Sequence, residues 1–169
     1  IRRVGILTSG LFKAMPIPGH IMHQTGILDW FKIMSSGTLL KDKHYFYKAM
    51  YDMVMIRRNS ITDFFTERNF QRLSSQGLTR VTIIKDAMNT MMDSHYYIEE
   101  KLSKLQCPVC LIWGEKDKLV PVRIGFQCYD LIPHSNKRIY VFKKTGHYSV
   151  LERPRDFSES LFKFLESVD

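Results

Sequence analysis

Two short apolar runs, each followed by a polar loop, constrain the fold of this chain more than any other feature. Residues 109–113 are continuously apolar, and residues 139–142 are almost as apolar. Such runs are typical of strands in a parallel sheet whose two faces are both covered. The segment between them predicts a helix, because its apolar residues recur at helical spacing. These residues are Val120, Ile124, Cys128 and Leu131, with Pro121 in the first turn.

A second helix is predicted from Pro154 onward, because proline fits a first helical turn and apolar residues then recur on one face. That face consists of Phe157, Leu161, Phe164, Leu165 and Val168. Residues 3–8 predict an earlier strand of the same sheet. The predicted fold class is therefore α/β, with parallel strands and flanking helices.

The loops after the two apolar runs carry the residues that point to chemistry. Right-handed crossovers make the strands parallel, so both loops leave the same edge of the sheet, where open α/β sheets bind ligands. Asp117 ends the first loop, Gly-Glu-Lys-Asp, and His147 ends the second, Thr-Gly-His. A carboxylate can orient an imidazole, which can then take a proton from a nucleophile. We predict that Asp117 and His147 are the acid and base of a hydrolytic site.

The region between the first predicted strand and residue 109 has a different character. It contains no convincing strand, and its patterns predict helices over residues 45–58, 60–72 and 79–93, with Ser60 as an N-cap. Helices inserted between two strands of a sheet predict a cap over the site. All nine methionines lie in or beside this region. Methionine suits a surface that adapts to apolar ligands, and it equally suits the gaps of a helical core.

Several side chains are candidates for the lining of that cap. They are Met50, Met53, Met88, Met91 and Tyr148, the last because it directly follows the predicted base.

Two segments together resemble the C-terminal half of the α/β-hydrolase superfamily. Residues 107–121 read Cys-Pro-Val-Cys-Leu-Ile-Trp-Gly-Glu-Lys-Asp-Lys-Leu-Val-Pro, and residues 143–154 read Lys-Lys-Thr-Gly-His-Tyr-Ser-Val-Leu-Glu-Arg-Pro. The resemblance implies that Asp117 is the triad acid and His147 the triad base. It also implies a division into a core strand (1–12), a helical cap (13–100) and a C-terminal α/β core (101–169).

The resemblance further implies a hydrolase of small or medium apolar esters, amides or related carbonyl substrates, without a cofactor or metal. No Gly-x-Ser-x-Gly nucleophile motif occurs in the 169 residues. The family order places the nucleophile before Ile1, so we expect an N-terminal portion of the same hydrolase, attached or as a second chain. This chain alone is expected to be inactive. The alternatives are an Asp-nucleophile enzyme of the epoxide hydrolase or dehalogenase kind, and a non-catalytic hydrolase-fold binding protein.

Composition narrows the class of partner. The net charge of +8 is spread along the chain, which favours solvated surface charge over a nucleic-acid interface. No apolar run reaches the roughly 18 residues of a membrane span. Three cysteines cannot pair completely, which favours a reducing compartment, the cytoplasm. In the Cys107-Pro-Val-Cys110 motif the thiols of an extended strand point to opposite faces, which favours a buried strand over a redox pair.

Other polar residues are weaker candidates. His20 and His23 stand three apart, but no further ligand accompanies them, so a metal site is not expected. Asp130 and Glu115 are rival acids. Asp130 falls on the predicted helix, and Glu115 is expected to lean away from His147.

Overall fold

The computed structural model describes the backbone of residues 5–7, 42–91 and 98–168, and the side chains of residues 42–75 and 98–168. The elements in chain order are β1 (Gly5–Leu7), α1 (Lys43–Ala49), a π-helical turn (Met50–Val54), α2 (Ser60–Met91), α3 (Glu99–Leu102), β2 (Val109–Gly114), α4 (Val122–Leu131), β3 (Lys137–Phe142), α5 (Ser149–Glu152) and α6 (Pro154–Glu166).

In these ranges the strands form a single parallel sheet in the order β1-β2-β3. Leu7 lies opposite Leu111, and Gly114 lies opposite Phe142. The loops after β2 and β3 therefore leave the sheet at the same level of its carboxyl edge. The α/β fold class predicted from the sequence is confirmed.

The central strand is buried on both faces, as its continuous apolar run predicts. Val109, Leu111 and Trp113 pack on one side with Ile124 and Cys128 of α4. Every residue of β2 is buried. Each such side chain contributes about 1.5–3 kcal/mol of transfer free energy, so the strand anchors the loop that follows it.

The opposite face packs against the last helical segment. Cys110 and Ile112 contact a cluster that contains Phe164 and Val168, whereas Cys107 packs against the α4 side. The thiols of the Cys107-x-x-Cys110 motif therefore lie on different faces, and all three cysteines are free. This arrangement matches the buried-strand interpretation of the motif.

The helix over residues 45–58 was predicted too long. Regular α-helix ends at Ala49, a π-helical turn continues to Val54, and Met55 is extended. The physical reason lies in the next residues, because the N–H groups of Ile56 and Arg57 donate to the Glu152 carboxylate instead of to helical carbonyls.

Ser60 is not the N-cap of the following helix. The Oδ1 atom of Asn59 accepts the N–H groups of Ile61 and Thr62, and the Thr62 hydroxyl in turn accepts the N–H of Asn59. This reciprocal arrangement is a capping box, in which two otherwise unpaired N–H donors are satisfied. The cap residue therefore lies one position earlier than predicted.

The two predicted helices over residues 60–72 and 79–93 are one continuous helix, α2, over Ser60–Met91. The hydroxyls of Ser74 and Ser75 donate to the carbonyls of Gln71 and Arg72 within the helix, so the serines do not end it. Gly77 costs only about 1 kcal/mol relative to alanine in a helix, which the many other hydrogen bonds of α2 offset.

The predicted stripe of α4 is correct at three positions and wrong at its last. Val120, Ile124 and Cys128 are buried, whereas Leu131 is exposed and Ile132 is fully buried in its place. The helix ends at Leu131 and the backbone of Ile132 becomes extended, which turns the next side chain inward.

A second small core lies in the cap region. Phe46, Met50, Val54, Met55 and Leu73 are buried together. Residues of the base-bearing loop and of α5 pack against this cluster, namely Tyr148 and Leu151. The described part of the cap is therefore joined to the C-terminal core by apolar contact as well as by hydrogen bonds.

Some predictions fall outside the described residues. These are the histidine pair His20 and His23 and the methionines Met15, Met22, Met34 and Met92; for Met88 and Met91 only the backbone is described. The division at residues 12 and 100 stays a prediction. Across the described ranges, no helix combines the length and apolarity that a membrane crossing requires.

We predict that the cysteines differ in reactivity. Burial raises the pKa of Cys110 to about 11, and burial is also the main cause that raises the pKa of Cys128 to about 12. The thiolate is the reactive species, so iodoacetamide at about pH 8 should modify half-buried Cys107 first. Peptide mass spectrometry measures this order, and the same reaction in denaturant is the control. Equal native labelling of Cys110 or Cys128 would contradict the described packing.

We also predict that Asn59→Ala lowers the free energy of unfolding by about 1–2 kcal/mol, because α2 loses its cap. The variant also removes the Asn59 amide bonds to the carbonyls of Leu151 and Glu152. Asn69→Ala is the matched control, since its amide bonds only within α2, to Phe65. Denaturant unfolding compares the two, and an equal loss in both would rule out a special role for Asn59.

Candidate active site

Two glycines allow the loops after β2 and β3 to touch. A Cβ atom on Gly114 would lie 2.0 Å from the Gly146 carbonyl oxygen, and one on Gly146 would lie 2.5 Å from the Val54 carbonyl oxygen. Both distances are far below any allowed contact, and both neighbours are backbone. A hydrogen bond also joins the two loops. The N–H of Lys116, after β2, donates to the carbonyl of Thr145, after β3, at 2.9 Å. Only glycine at these positions permits this approach.

Asp117 is held in one orientation by backbone donors. Its Oδ1 atom accepts the N–H groups of Leu119 and Val120, each at 2.9 Å. The side chain is only 1% exposed. Trp113 reinforces the turn, because its indole N–H donates to the Val120 carbonyl at 2.8 Å. These contacts leave the second carboxylate oxygen, Oδ2, facing the neighbouring loop.

His147 meets that oxygen. Its Nδ1 atom lies 2.9 Å from Asp117 Oδ2, and the His147 side chain is 19% exposed. The backbone N–H of His147 donates to Val54 O at 2.7 Å. The imidazole ring is therefore held by Asp117 in the loop after β2, and the backbone N–H of His147 is held by Val54 of the cap region.

The hydrogen bond determines which imidazole nitrogen carries the proton. Because a carboxylate oxygen accepts, the contact assigns the donor role to Nδ1 of His147, and in the neutral imidazole the lone pair is then on Nε2. Nε2 makes no hydrogen bond to any group in the described segments. A partly exposed imidazole nitrogen with a free lone pair is suited to take a proton from a nucleophile.

The rival acids do not face the imidazole. Glu115 accepts the Lys144 N–H at 3.0 Å, and that hydrogen bond is the main cause that lowers the pKa of Glu115. Lys144 has a φ of 52°, and the bond from its N–H supports this unusual turn. Asp130 is exposed on α4. Asp117 is thus the carboxylate of these three that contacts His147.

Glu152 was overlooked in the sequence. It is only 2% exposed, and its carboxylate accepts the N–H groups of Gly146, Ile56 and Arg57 at 2.8–3.0 Å. Burial raises the pKa of Glu152, while these donors oppose the rise. The sequence signal was only a glutamate in an apolar helical turn before Pro154, and the partners in the cap region lie about 95 positions away.

The predicted cap-lining residues occupy different environments. Tyr148 packs edge-on against the His147 ring at 5.4 Å and against Phe65 of α2 at 5.2 Å between ring centroids, and burial raises its pKa. Met50 is buried in the cap core, and Met53 packs beside it. Their role in binding a substrate, and that of Met88 and Met91, stays a prediction.

In the described ranges, no three His, Cys, Asp or Glu side chains gather as metal ligands do. The Asp117 carboxylate is instead engaged within the protein, by backbone donors at Oδ1 and by the His147 ring nitrogen at Oδ2.

Comparison with known proteins defines the class. The chain is 39% identical over 67 residues to the uncharacterized hydrolase YugF of Bacillus subtilis (strain 168), a match that covers 40% of this chain and 24% of YugF. It is 35% identical over 72 residues to the pimeloyl-[acyl-carrier protein] methyl ester esterase of Aliivibrio salmonicida (strain LFI1238), covering 43% of this chain and 27% of the esterase. No protein-family model matches the sequence.

The fold is similar to that of a serine hydrolase involved in carbazole degradation. The TM-score is 0.60 at 19% identity, over 74% of this chain and 47% of that one. The chain has an α/β-hydrolase fold, which confirms the resemblance stated from the sequence. It spans about a quarter of the length of the curated relatives it matches.

The geometry predicts a distinctive signal for the Nδ1 proton of His147. Bonded to a buried carboxylate, this proton should resonate well downfield of a free imidazole N–H, and the signal should be lost in Asp117→Ala. Proton NMR of nitrogen-15-labelled protein makes the measurement. Asp130→Ala, which removes an exposed carboxylate, is the control and should leave the signal in place. A signal that survives in Asp117→Ala would contradict the assigned hydrogen bond.

Proposed function

We propose that this chain supplies the acid and base of a hydrolase that cleaves small or medium apolar esters, amides or related carbonyl compounds. The observation that carries the proposal is the 2.9 Å contact between His147 Nδ1 and Asp117 Oδ2 at the carboxyl edge of a parallel sheet. Ligands of open α/β sheets bind at this edge.

In the first step, His147 Nε2 takes the proton of the nucleophile as the nucleophile's oxygen bonds to the substrate carbonyl carbon. The ring becomes an imidazolium, and the Asp117 carboxylate stabilises its charge through Nδ1–H. Asp117 is well suited to this task because its other oxygen is occupied by two backbone donors, so the carboxylate cannot rotate away.

In the second step, the imidazolium returns its proton to the leaving group as the bond from that group to the carbonyl carbon breaks. A water molecule then loses a proton to Nε2 as its oxygen bonds to the acyl carbon. The imidazolium returns that proton to the nucleophile's oxygen as the bond from this oxygen to the acyl carbon breaks, which releases an acid and regenerates both groups. The partial exposure of His147, 19% of its side chain, gives substrate and water access to the ring.

The nucleophile and the oxyanion donors belong, in this proposal, to an N-terminal portion of the same hydrolase, attached or as a second chain. Two facts support this assignment. The 169 residues contain no Gly-x-Ser-x-Gly motif, and the matched relatives are about four times as long as the region they share with this chain. We propose a serine as the nucleophile, and ester cleavage is supported because the second relative is, by name, a methyl ester esterase.

The cap residues 13–100 would select the substrate together with Tyr148, which directly follows the base. Its ring contacts both His147 and Phe65, so it lies between the predicted base and the cap helix. The aromatic surface of Tyr148 and Phe65 favours an apolar acyl group as the part of the substrate that it contacts. The three free thiols suit a reducing compartment such as the cytoplasm.

The test uses the full-length protein with a fluorophosphonate probe and short-chain nitrophenyl esters. His147→Ala should lower kcat by about 10⁶-fold and Asp117→Ala by the smaller factor of about 10⁴, because removing the acid leaves the base in place. His134→Ala is the matched control. In the described residues, the Nδ1 atom of His134 accepts only the N–H of the nearby Asn136. Circular dichroism checks that each variant folds.

The outcomes separate the alternatives. Probe labelling together with His147-dependent ester turnover supports the serine hydrolase. Absence of labelling with His147-dependent opening of an epoxide would point to an Asp nucleophile instead. Ester turnover that is unchanged in His147→Ala would overturn the proposal, and no turnover on any such substrate would favour a non-catalytic binding protein.

A further inference from the structure

Glu152 is a buried carboxyl group that the proposed reaction does not use. Glutamate is almost never fully buried unless its charge is compensated, because desolvation costs several kcal/mol. In the described ranges no Lys or Arg pairs with Glu152, and its partners are backbone N–H groups. Such a costly arrangement indicates that the carboxylate holds those particular peptides in place.

The peptides come from two distant segments. Gly146, which donates to both Glu152 oxygens, directly precedes the predicted base. Ile56 and Arg57, which donate to Oε2, follow the π-helical turn of the cap region. One carboxylate therefore joins the base loop to the cap.

A second bond completes the connection. The N–H of His147 donates to the carbonyl of Val54 at 2.7 Å, two residues before the first donor to Glu152. The peptides on both sides of the Gly146 Cα are thus tied to residues 54–57, and Gly146 has no space for a side chain there. The backbone of His147 cannot shift without breaking at least one of these bonds.

We propose that Glu152 is a positioning residue for His147: its carboxylate ties the peptide before the base to cap residues 56 and 57, and so sets the imidazole against Asp117. This inference rests on the proposed function for its catalytic consequence. Its structural part, that the His147 ring depends on Glu152, stands independently of turnover.

The sharpest variant is Glu152→Gln, which keeps the shape but replaces one acceptor oxygen by an NH₂ donor. If the NH₂ group replaces Oε1, Gly146 loses one of its two acceptors and meets a donor beside its remaining bond to Oε2; if it replaces Oε2, Ile56 and Arg57 lose their acceptor. Either orientation therefore weakens or breaks one of the two ties. Glu152→Asp keeps the carboxylate but shortens the side chain by one methylene group. Glu159→Gln on the exposed side of α6 is the matched control, because it makes the same chemical change on the surface.

In the full-length protein, Glu152→Gln should lower kcat by about 10–100-fold with a smaller change in KM, as other changes to groups that orient an active-site ligand do. The acidic limb of the pH–rate profile and the Nδ1 proton signal of His147 should both move. Glu152→Asp should give intermediate values, and Glu159→Gln should match the wild type.

Two results would overturn the proposal. One is a folded Glu152→Gln or Glu152→Asp variant with a lower melting temperature but an unchanged pH profile and His147 spectrum, which would assign Glu152 a purely structural role. The other result needs no variant. If the Gly146 amide hydrogen of the wild-type protein exchanges with solvent as fast as an unprotected amide, its hydrogen bond to Glu152 is not maintained in solution.

The same experiments distinguish this failure from failure of the proposed function. If the wild-type protein has no turnover, the kinetic readouts are lost, but the His147 spectrum and the Gly146 exchange rate still decide whether Glu152 positions the ring. If turnover is present and depends on His147 while the Glu152 variants change neither the His147 spectrum nor the Gly146 exchange rate, only the positioning role is wrong.

Discussion

Two buried carboxylates must be surrounded by N–H donors, and satisfying them organises the whole edge of this sheet. Asp117 takes its donors from the residues just after it and from the His147 ring. Glu152 takes its donors from the peptide before His147 and from the cap region. Because nearly all these donors are backbone groups, each carboxylate fixes the path of a loop, and the imidazole lies where the two loops meet.

The sheet makes that meeting possible. Parallel pairing brings Gly114 opposite Phe142, so the loops start level with one another. The buried residues of β2 pack against helices on both faces, which leaves the strand little freedom to slide. A shift by one residue would turn Trp113 to the other face and break its bond to Val120, on which the Asp117 turn depends.

In the described ranges, hydrogen bonds join the cap region to this edge at several places, in addition to those from Asn59 to α5. Val54 accepts the His147 N–H, Glu152 accepts from the residues that follow, and Lys118 donates to the Asp52 carbonyl. Residues 52–57 of the cap region are therefore part of the scaffold that holds the acid and the base. If the cap moves while Asp117 and His147 stay in contact, the moving residues have to lie outside residues 52–57.

The strands, the order of elements and the two residues of the candidate site could be predicted from local patterns, because apolar periodicity and loop motifs are properties of neighbouring residues. Element ends were less accurate: Asn59 rather than Ser60 caps α2, and the helix before it stops early because Ile56 and Arg57 bond elsewhere. The role of Glu152 required the tertiary structure. Two of its donors, Ile56 and Arg57, lie about 95 positions away, and a hydrogen bond across that distance leaves no periodic or spacing signal in the sequence.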